Sequence, residues 1–281
     1  MEAILEKTLG FHPAHSSNKD CYESKDLVKA YSANFLLQKP EETILNHLRD
    51  KLPNMKMLDA GVGAGRTTHY FAPLTKEYVG VDYSENMIKM CRERFRKYPR
   101  KISFEIADAR ALKSFEDDYF DFVLFSFNGI DYMNHKDRLT ALREIHRVTK
   151  NEGYFCFSTH NLNSAWKFYS FASSRNPLKL EREAYRLLLM RLFNKNNWKQ
   201  LRKALATKKY VIFNDGANNF RLKTYYIQPT EQIKQLTCSG FAGVKIYGLL
   251  DGREIENPSN LRNTIDSWLY YLCNNRKQSS S

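Results

Sequence analysis

The chain has 281 residues, of which 42% are hydrophobic and 27% charged, and its net charge is +13. This composition is typical of an ordinary globular protein. No run of about 18 apolar residues occurs, which excludes a membrane-spanning helix. Because the length exceeds that of a usual domain of about 100–200 residues, we expect one core with an insertion.

The cysteines and the N-terminus favour a cytoplasmic location. The five cysteines are odd in number and widely spaced along the chain. They therefore predict reduced thiols rather than disulfides or a zinc site, and no metal site is predicted. The first seven residues lack the pattern of a secretory signal.

The first predicted unit is an N-terminal helical segment over residues 1–54. Residues 1–20 are polar and irregular, and apolar residues at helical spacing predict one or two helices over 22–50. Pro40 marks the start of the second helix, where proline is tolerated.

Residues 55–160 alternate between strands and helices. Strands are predicted near 55–60, 77–82, 101–107, 120–127 and 153–160, with helices near 65–73, 84–97 and 136–150. This alternation predicts an α/β fold with a Rossmann-like, doubly wound parallel sheet. Ligands bind such sheets beyond the carboxyl ends of the strands.

A glycine-rich turn follows the first predicted strand. Asp59 ends the strand, and glycines follow at Gly61, Gly63 and Gly65 before a helix begins. Such a turn lets the backbone approach a ligand closely, and the helix start offers free N–H groups. The turn therefore predicts a site for a nucleoside-containing cofactor.

Two cofactor classes use such a turn. The dinucleotide pattern G-x-G-x-x-G requires glycine where this chain has Arg66. A carboxylate at Asp59 gives no favourable interaction with pyrophosphate, but it suits a ligand with a sulfonium and an amino group, such as S-adenosylmethionine.

Three more strand ends support this interpretation. Asp82 and Asp108 end the second and third strands, and the strongly apolar fourth strand runs into Asn128. A carboxylate at Asp82 can accept hydrogen bonds from both ribose hydroxyls. Each carboxylate alone could be a helix cap, but four such strand ends in order form a coherent site.

These motifs resemble a known family over roughly residues 28–160. The chain is similar to class I S-adenosylmethionine-dependent methyltransferases of the small-molecule type. The motifs that carry the resemblance are Leu58–Gly65, Gly80–Met87, Ile106–Ala109, Asp121–Phe125 and Ala141–Tyr154.

The resemblance implies how the methionine half of the cofactor is held. Asp59, Gly61 and Gly63 would hold the methionine portion, and Ser126–Asn128 would offer backbone groups to its amino group. Arg66 departs from the small residue or Thr/Ser that is commoner there, and its side chain would reach the cofactor carboxylate or point elsewhere.

The resemblance also implies how the nucleoside half is held. Asp82 would bind the ribose, with Tyr83 and Met87 flanking the adenine. Asp108 and Ala109 would bind the adenine edge. Tyr31 lies on a helix that, by the same resemblance, closes over the cofactor.

Residues 161–210 interrupt the alternation and predict a basic helical cap. Helices are expected near 163–173 and from about 180 to 206. The segment has twelve Lys and Arg against two Glu, so it carries a net charge of +10. It suits a solvated helix face, an anionic small substrate, an RNA backbone or an acidic membrane surface. The apolar stripe between its charges predicts a cap packed on the core.

Residues 211–281 are predicted to complete the core. Strands are expected over 221–228 and 244–249, and a final helix over 260–274. The resemblance implies a seven-stranded sheet that is mostly parallel, with an antiparallel last strand.

His160 is the candidate general base, since it ends the fifth strand at the ligand edge and an imidazole can take a proton from a hydroxyl or an ammonium group. Asp131 and His135 are weaker candidates that follow the fourth strand. Tyr225 and Tyr226 could line the acceptor pocket, although one of the two must face away from it.

The sequence therefore predicts a methyltransferase that acts on nitrogen or oxygen of a small molecule. An RNA methyltransferase suits the basic cap, but Ser126-Phe127-Asn128-Gly129 stands where base-modifying relatives often have an Asn-Pro-Pro-Tyr-type segment. A lipid or quinone methyltransferase that uses the basic amphipathic cap at a membrane surface remains an alternative.

Overall fold

A computed structural model describes most of the chain. The described residues are 21–24, 28–29, 31, 33, 35–98, 101–168, 176–194, 198–207 and 209–277. The predicted irregular segment 1–20 and the end of the helix predicted near 163–173 lie outside them.

Within the described residues, nine strands, nine α-helices and three short 3-10 helices (Leu52–Asn54, Gly129–Tyr132 and Leu162–Phe168) have defined bounds. The strands are β1 (Lys56–Ala60), β2 (Glu77–Asp82), β3 (Ile102–Ile106), β4 (Phe120–Phe125), β5 (Thr149–Asn161), β6 (Tyr210–Phe213), β7 (Thr224–Ile227), β8 (Phe241–Gly248) and β9 (Trp268–Asn275). The helices are α1 (Lys39–Leu48), α2 (Thr68–Phe71), α3 (Glu85–Phe95), α4 (His135–Val148), α5 (Pro177–Phe193), α6 (Trp198–Thr207), α7 (Ala217–Phe220), α8 (Pro229–Cys238) and α9 (Pro258–Asn263).

Seven strands form the core sheet, in the order β3-β2-β1-β4-β5-β9-β8. The pairs from β3 to β5 are parallel, whereas β9 pairs antiparallel with both β5 and β8. This arrangement confirms the predicted Rossmann-like sheet with an antiparallel last strand. The carboxyl ends of β1, β2 and β4 consequently meet at one edge.

Local sequence fixes where the helices beside this edge begin. The Ser84 hydroxyl accepts a hydrogen bond from the Met87 N–H and caps α3. The Asn134 side chain caps α4 in the same way, by accepting from the Asp137 N–H. These caps satisfy free backbone N–H groups and end the preceding loops at defined positions.

The predicted final helix over 260–274 is wrong in its second half, because residues 268–274 belong to strand β9, whereas residues 260–263 belong to helix α9. Helical spacing of Trp268, Leu269 and Leu272 suggested the helix. However, β9 is hydrogen-bonded on both sides, and nearly all of its side chains are buried. A short apolar run fits either structure locally, and tertiary pairing favours the strand.

The strand expected over 221–228 is β7, and it does not belong to the hairpin that closes the core sheet. β7 pairs antiparallel with β6, and it joins the core only through His160 and Asn161 at the end of β5. The hairpin that closes the core sheet is therefore β8–β9.

The basic insertion contains two helices rather than one long helix from about 180 to 206. α5 ends at Asn194, whose side-chain amide donates to the Met190 and Asn214 carbonyls. A small hydrophobic cluster, which includes Leu162, Met190 and Phe213, joins the insertion to the β6–β7 hairpin. In the part of the chain that the structure describes, no helix is long and apolar enough to span a bilayer.

Side chains on the two faces of the sheet form two hydrophobic clusters. Phe155 and Phe157 of β5 belong to one cluster, and Phe122 and Leu124 of β4 belong to the other. Both faces are covered, as expected for a parallel sheet with near-continuous apolar strands.

Replacement of Leu272 tests whether β9 is part of the core. Because Leu272 is buried in the sheet, Leu272→Ala should lower the free energy of unfolding by about 2–5 kcal/mol, measured by urea denaturation. Leu250→Ala removes an exposed leucine and should change it by less than about 0.5 kcal/mol. Equal effects of the two substitutions would contradict the placement of β9.

Candidate active site

A cleft opens at the carboxyl edge of the core sheet. It contains about 590 Å³ of empty space, part of it open to solvent. The lining residues are Tyr22, Tyr31, Gly61, Gly63, Asp82, Tyr83, Met87, Ala107, Ala109, Phe125, Ser126, Phe127, Gly129 and Met133.

The glycine turn forms one wall of this cleft. Gly61 and Gly63 have φ angles of 70° and 55°, in the left-handed region that favours glycine. A Cβ atom on Gly61 would lie 2.7 Å from the Phe125 ring. Side chains at these positions would therefore strain the turn or displace the end of β4.

Asp82 is the acidic group of the cleft. One carboxylate oxygen accepts the Gly63 N–H at 3.0 Å, and the other accepts the Ser84 N–H at 2.9 Å. Burial raises the pKa of Asp82 to about 6, although these backbone hydrogen bonds lower it. Each oxygen keeps acceptor capacity for a ligand.

Aromatic side chains from the N-terminal segment and from the residue after β2 surround the cleft. The Tyr22 ring lies edge-on to the rings of Tyr31 and Tyr83, at centroid distances of 5.9 and 6.0 Å. Tyr31, Tyr83 and Met87 therefore lie on the cleft where the sequence predicted them. Tyr22 was not predicted, because its segment has no motif of its own.

Arg66 does not appear among the described lining residues. Its guanidinium forms a buried, two-pronged ion pair with Glu41 of α1, at 2.5 and 2.6 Å. It also donates to the Ser126 hydroxyl, which in turn donates to Glu41. Of the two directions left open for this side chain, the structure places it away from the cleft. Glu41 carries no sequence signal except its position in a capping box.

Asp59 likewise lies behind the glycine turn. Its carboxylate accepts hydrogen bonds from the Thr67 hydroxyl and from the Tyr78 hydroxyl, the latter at 2.5 Å. Burial raises its pKa to about 6. Asp59 thus ties the end of β1 to Thr67, which follows the turn, and to Tyr78 of the neighbouring strand β2.

The end of β3 contributes less than predicted. Ala109 lines the cleft, as does its neighbour Ala107. The Asp108 carboxylate is 2.5 Å from the Arg110 guanidinium, which also bridges to Asp137 at 2.7 Å. This salt-bridge network lies at the rim.

The backbone after β4 is strained. Phe127 and Asn128 both have left-handed φ angles, of 54° and 59°. Such conformations cluster at functional sites in proteins. Asn128 is buried, its backbone N–H donates to the Ser158 hydroxyl, and its Oδ1 has no hydrogen-bond partner within the described structure.

His160 lies beside Asn128 in a buried polar network. Its Nδ1 is 2.7 Å from Asp131 Oδ2, and its Nε2 is 3.5 Å from the Asn128 side-chain nitrogen. Since a carboxylate only accepts and an amide nitrogen only donates, Nδ1 donates to Asp131 and Nε2 is the acceptor that faces Asn128. The His160 ring also packs against Trp268, which contacts Phe127 of the cleft.

Asp131 is fixed by more than His160. Its other oxygen is 2.5 Å from Arg138, and both of these side chains are completely buried. The Thr159 hydroxyl and the His160 backbone N–H also donate to the carboxylate. The sequence suggested Asp131 as a weaker base, whereas its geometry suits it to orient His160.

The other candidates belong to the link between the cap and the core. The His135 ring stacks on Tyr210 at 4.2 Å, and its Nδ1 lies 2.9 Å from the Tyr225 hydroxyl. Tyr226 instead contacts His160 and donates to Asp215. These two tyrosines thus contact different histidines.

Comparison with known proteins agrees with this fold. Residues 57–153 match the family described as "Methyltransferase domain". A ubiquinone/menaquinone biosynthesis C-methyltransferase, UbiE of Geotalea uraniireducens, is 33% identical over 124 residues, which cover 41% of this chain and 51% of that protein. The chain thus spans about half the length of this curated relative.

Solved structures cover more of the chain at lower identity. An S-adenosylmethionine dependent methyltransferase from Mesorhizobium loti has a TM-score of 0.56 and 18% identity, over 84% of this chain and 97% of its own. The 1,6-didemethyltoxoflavin-N1-methyltransferase of Burkholderia thailandensis, solved with its substrate and S-adenosylhomocysteine, has a TM-score of 0.55 and 14% identity, over 95% and 93%.

The family match over residues 57–153 and the fold shared with these solved structures agree with the predicted resemblance to class I S-adenosylmethionine-dependent methyltransferases.

Replacement of Glu41 tests the importance of its ion pair with Arg66. The interaction with Arg66 holds the pKa of Glu41 below its usual value, even though burial raises it. Glu41→Gln should lower the free energy of unfolding by about 3–5 kcal/mol, because it leaves a buried guanidinium unpaired. The measurement is urea denaturation at neutral pH.

Two further variants test the cause of that loss in the free energy of unfolding. The paired replacement Glu41→Leu with Arg66→Met should recover most of it, since no buried charge remains. Glu42→Gln removes the neighbouring surface pair with Lys39 and should cost less than about 1 kcal/mol. A loss no larger in Glu41→Gln than in Glu42→Gln would contradict the role of the buried pair.

Proposed function

We propose that the chain is an S-adenosylmethionine-dependent methyltransferase that methylates nitrogen or oxygen of a small molecule. The observation that carries this proposal is the Asp82 carboxylate, which lies on the cleft next to two left-handed glycines. A carboxylate beside this turn suits a neutral ribose and a cationic sulfonium. It would repel a pyrophosphate.

The residues on the cleft fit the cofactor. Asp82 would accept hydrogen bonds from the ribose hydroxyls, and Tyr83, Met87 and Ala109 would surround the adenine. The backbone of Gly61, Gly63 and Ser126 would hold the methionine end. When bound, the cofactor supplies an activated methyl group on sulfur, so positioning of the acceptor can provide much of the acceleration.

Asp59 and Arg66 contribute indirectly in this proposal. Asp59 holds Thr67 and Tyr78, and Arg66 holds Glu41 and Ser126. Both pairs of contacts fix the glycine turn and the end of β4 from behind. The unpaired Oδ1 of Asn128 would be available to an acceptor molecule at the start of the acceptor site. Asp108 would act from the rim of the cleft.

His160 is the proposed general base. Its Nε2 would accept the proton that an acceptor O–H or N–H loses on methylation. Asp131 holds the Nδ1–H tautomer and stabilises the imidazolium that forms. Asp131 in turn stays paired with Arg138.

A second candidate is methylation of a quinone-type acceptor at carbon. It is favoured by the curated relative, whose name describes a C-methyltransferase of ubiquinone and menaquinone biosynthesis. Position-specific analysis of the methylated product distinguishes the candidates, because only methylation at carbon forms a new carbon–carbon bond.

A reducing compartment such as the cytoplasm fits the cysteines, all five of which are free thiols. An anionic small acceptor remains compatible with the basic cap. An RNA acceptor receives no support from the cleft, because its described lining residues include no Lys or Arg.

Acidification tests the role of Asp82 in cofactor binding. The pKa of Asp82 is raised by burial to about 6, so the carboxylate that accepts the ribose hydroxyls is lost as pH falls through that value. Affinity for S-adenosylhomocysteine should therefore fall towards about tenfold per pH unit below 6, measured by calorimetry.

Asp82→Asn separates this effect from that of Asp59, whose pKa is also about 6. The variant should bind at least about tenfold more weakly at pH 7.5, with an affinity that no longer depends on pH between 5 and 7. If Asp82→Asn keeps the wild-type pH dependence of affinity and Asp59→Asn loses it, that pH dependence comes from Asp59 behind the glycine turn and not from Asp82.

His160→Gln tests the proposed base. Transfer from methyl-labelled donor into acceptors of a metabolite extract should fall by about 10²–10⁴-fold, while affinity for S-adenosylhomocysteine stays unchanged. His47→Gln changes an exposed histidine on α1 and should leave the rate at the wild-type value. A wild-type rate in His160→Gln would remove it as a base.

A further inference from the structure

Helix α5 exposes an apolar stripe to solvent. Leu178, Tyr185 and Leu188 are 65%, 41% and 52% exposed. At about 100° per residue, these three positions lie within one quarter of the helix circumference. An amphipathic helix of a globular protein normally turns such a stripe towards the core.

Other residues attach α5 to the cap. Leu189 and Met190 are buried, and the Arg186 guanidinium donates to the Phe168 carbonyl at 2.8 Å while pairing with Glu183. The helix therefore packs through the part of its circumference next to the stripe, about 20–120° from Leu178. The sequence predicted that the apolar stripe, including Tyr185 and Leu188, packs on the core, and for these two side chains that expectation is wrong.

Basic side chains lie on both sides of the exposed stripe. Arg182 and Arg191 are exposed, and helical geometry places them on opposite sides of it. Lys179 is exposed in the first turn, and Glu181 is the single exposed acid of the helix. By the same geometry Glu181 lies within the stripe, about 20° from Leu188, so the outward face is apolar apart from this one acid and has basic edges. The helix belongs to a segment whose net charge is +10.

We propose that this face of α5 docks on an anionic bilayer surface. The leucines and the tyrosine would enter the boundary between headgroups and acyl chains, and the flanking arginines would contact lipid phosphates. Charge complementarity favours this partner over a neutral protein surface. The central apolar stripe favours it over an RNA backbone, which rewards cations but gains nothing from exposed leucines.

Docking by α5 would bring the cap to the membrane without inserting the core. The hydrophobic cluster that holds Met190 also holds Tyr226, whose ring contacts His160. The docked helix would therefore lie on the same side of the protein as the proposed acceptor site. This inference concerns where the protein acts and does not depend on cofactor binding.

Vesicle flotation of the full-length chain tests the proposal. The wild type should float with phosphatidylcholine vesicles that contain phosphatidylglycerol and remain unbound with phosphatidylcholine alone. Arg182→Glu with Arg191→Glu should weaken binding by at least about fivefold for each cation removed. Leu188→Glu should weaken it by at least about tenfold, since it places a charge in the apolar boundary.

Matched substitutions elsewhere control for net charge and hydrophobicity. Leu250→Glu changes a leucine that is 79% exposed, and Lys113→Glu with Lys136→Glu removes two exposed cations. Both should bind anionic vesicles within about twofold of the wild type, and all variants should retain S-adenosylhomocysteine affinity by calorimetry. That second readout separates failure of docking from failure of the proposed enzymatic function.

Three results would overturn the proposal. The first is absence of wild-type binding to the anionic vesicles. The second is equal weakening by the α5 variants and their controls, which would indicate a diffuse charge effect. The third is salt-sensitive binding to poly(U) RNA that the arginine variant abolishes and Leu188→Glu preserves, with no vesicle binding, which would assign the surface to nucleic acid.

Discussion

Two backbone N–H groups, those of Gly63 and Ser84, hold the Asp82 carboxylate at the edge of the sheet. This contact depends on parallel β1 and β2, which bring the glycine turn and the start of α3 to the same edge. It fixes an acid where a buried carboxylate is otherwise costly, as its raised pKa shows. The cleft, the aromatic rings around it and the proposed cofactor site are arranged about this group.

A second set of contacts supports that edge from behind. Glu41 joins α1 to the glycine turn through Arg66, to the end of β4 through Ser126, and to β9 through the Tyr270 hydroxyl. Such a pair is expensive to bury, and its hydrogen bonds make it geometrically specific. On the acceptor side, Arg138 and Asp131 fix His160 in the same manner. The edge of the cleft and His160 are therefore each supported by a buried ion pair.

Sequence reasoning succeeded where the information is local. The strand ends at Asp82 and Ala109 and the turn at Gly61 are read from adjacent residues, and the structure places all three on the cleft. It failed for β9, because the choice between helix and strand depends on pairing with residues more than a hundred positions away. The partner of Arg66 was unpredictable for the same reason, since Glu41 lies on another element. The outward stripe of α5 was misjudged because periodicity identifies an apolar face but not the surface that it contacts.

The most direct test of the central claim is a crystal structure of the full-length chain with S-adenosylhomocysteine. The ribose hydroxyls are expected within hydrogen-bond distance of the Asp82 carboxylate, with the adenine against Tyr83 and Met87 and the homocysteine along Gly61 and Gly63. A ligand bound away from Asp82, or a cleft that accepts a nicotinamide dinucleotide in place of this nucleoside, would contradict the account.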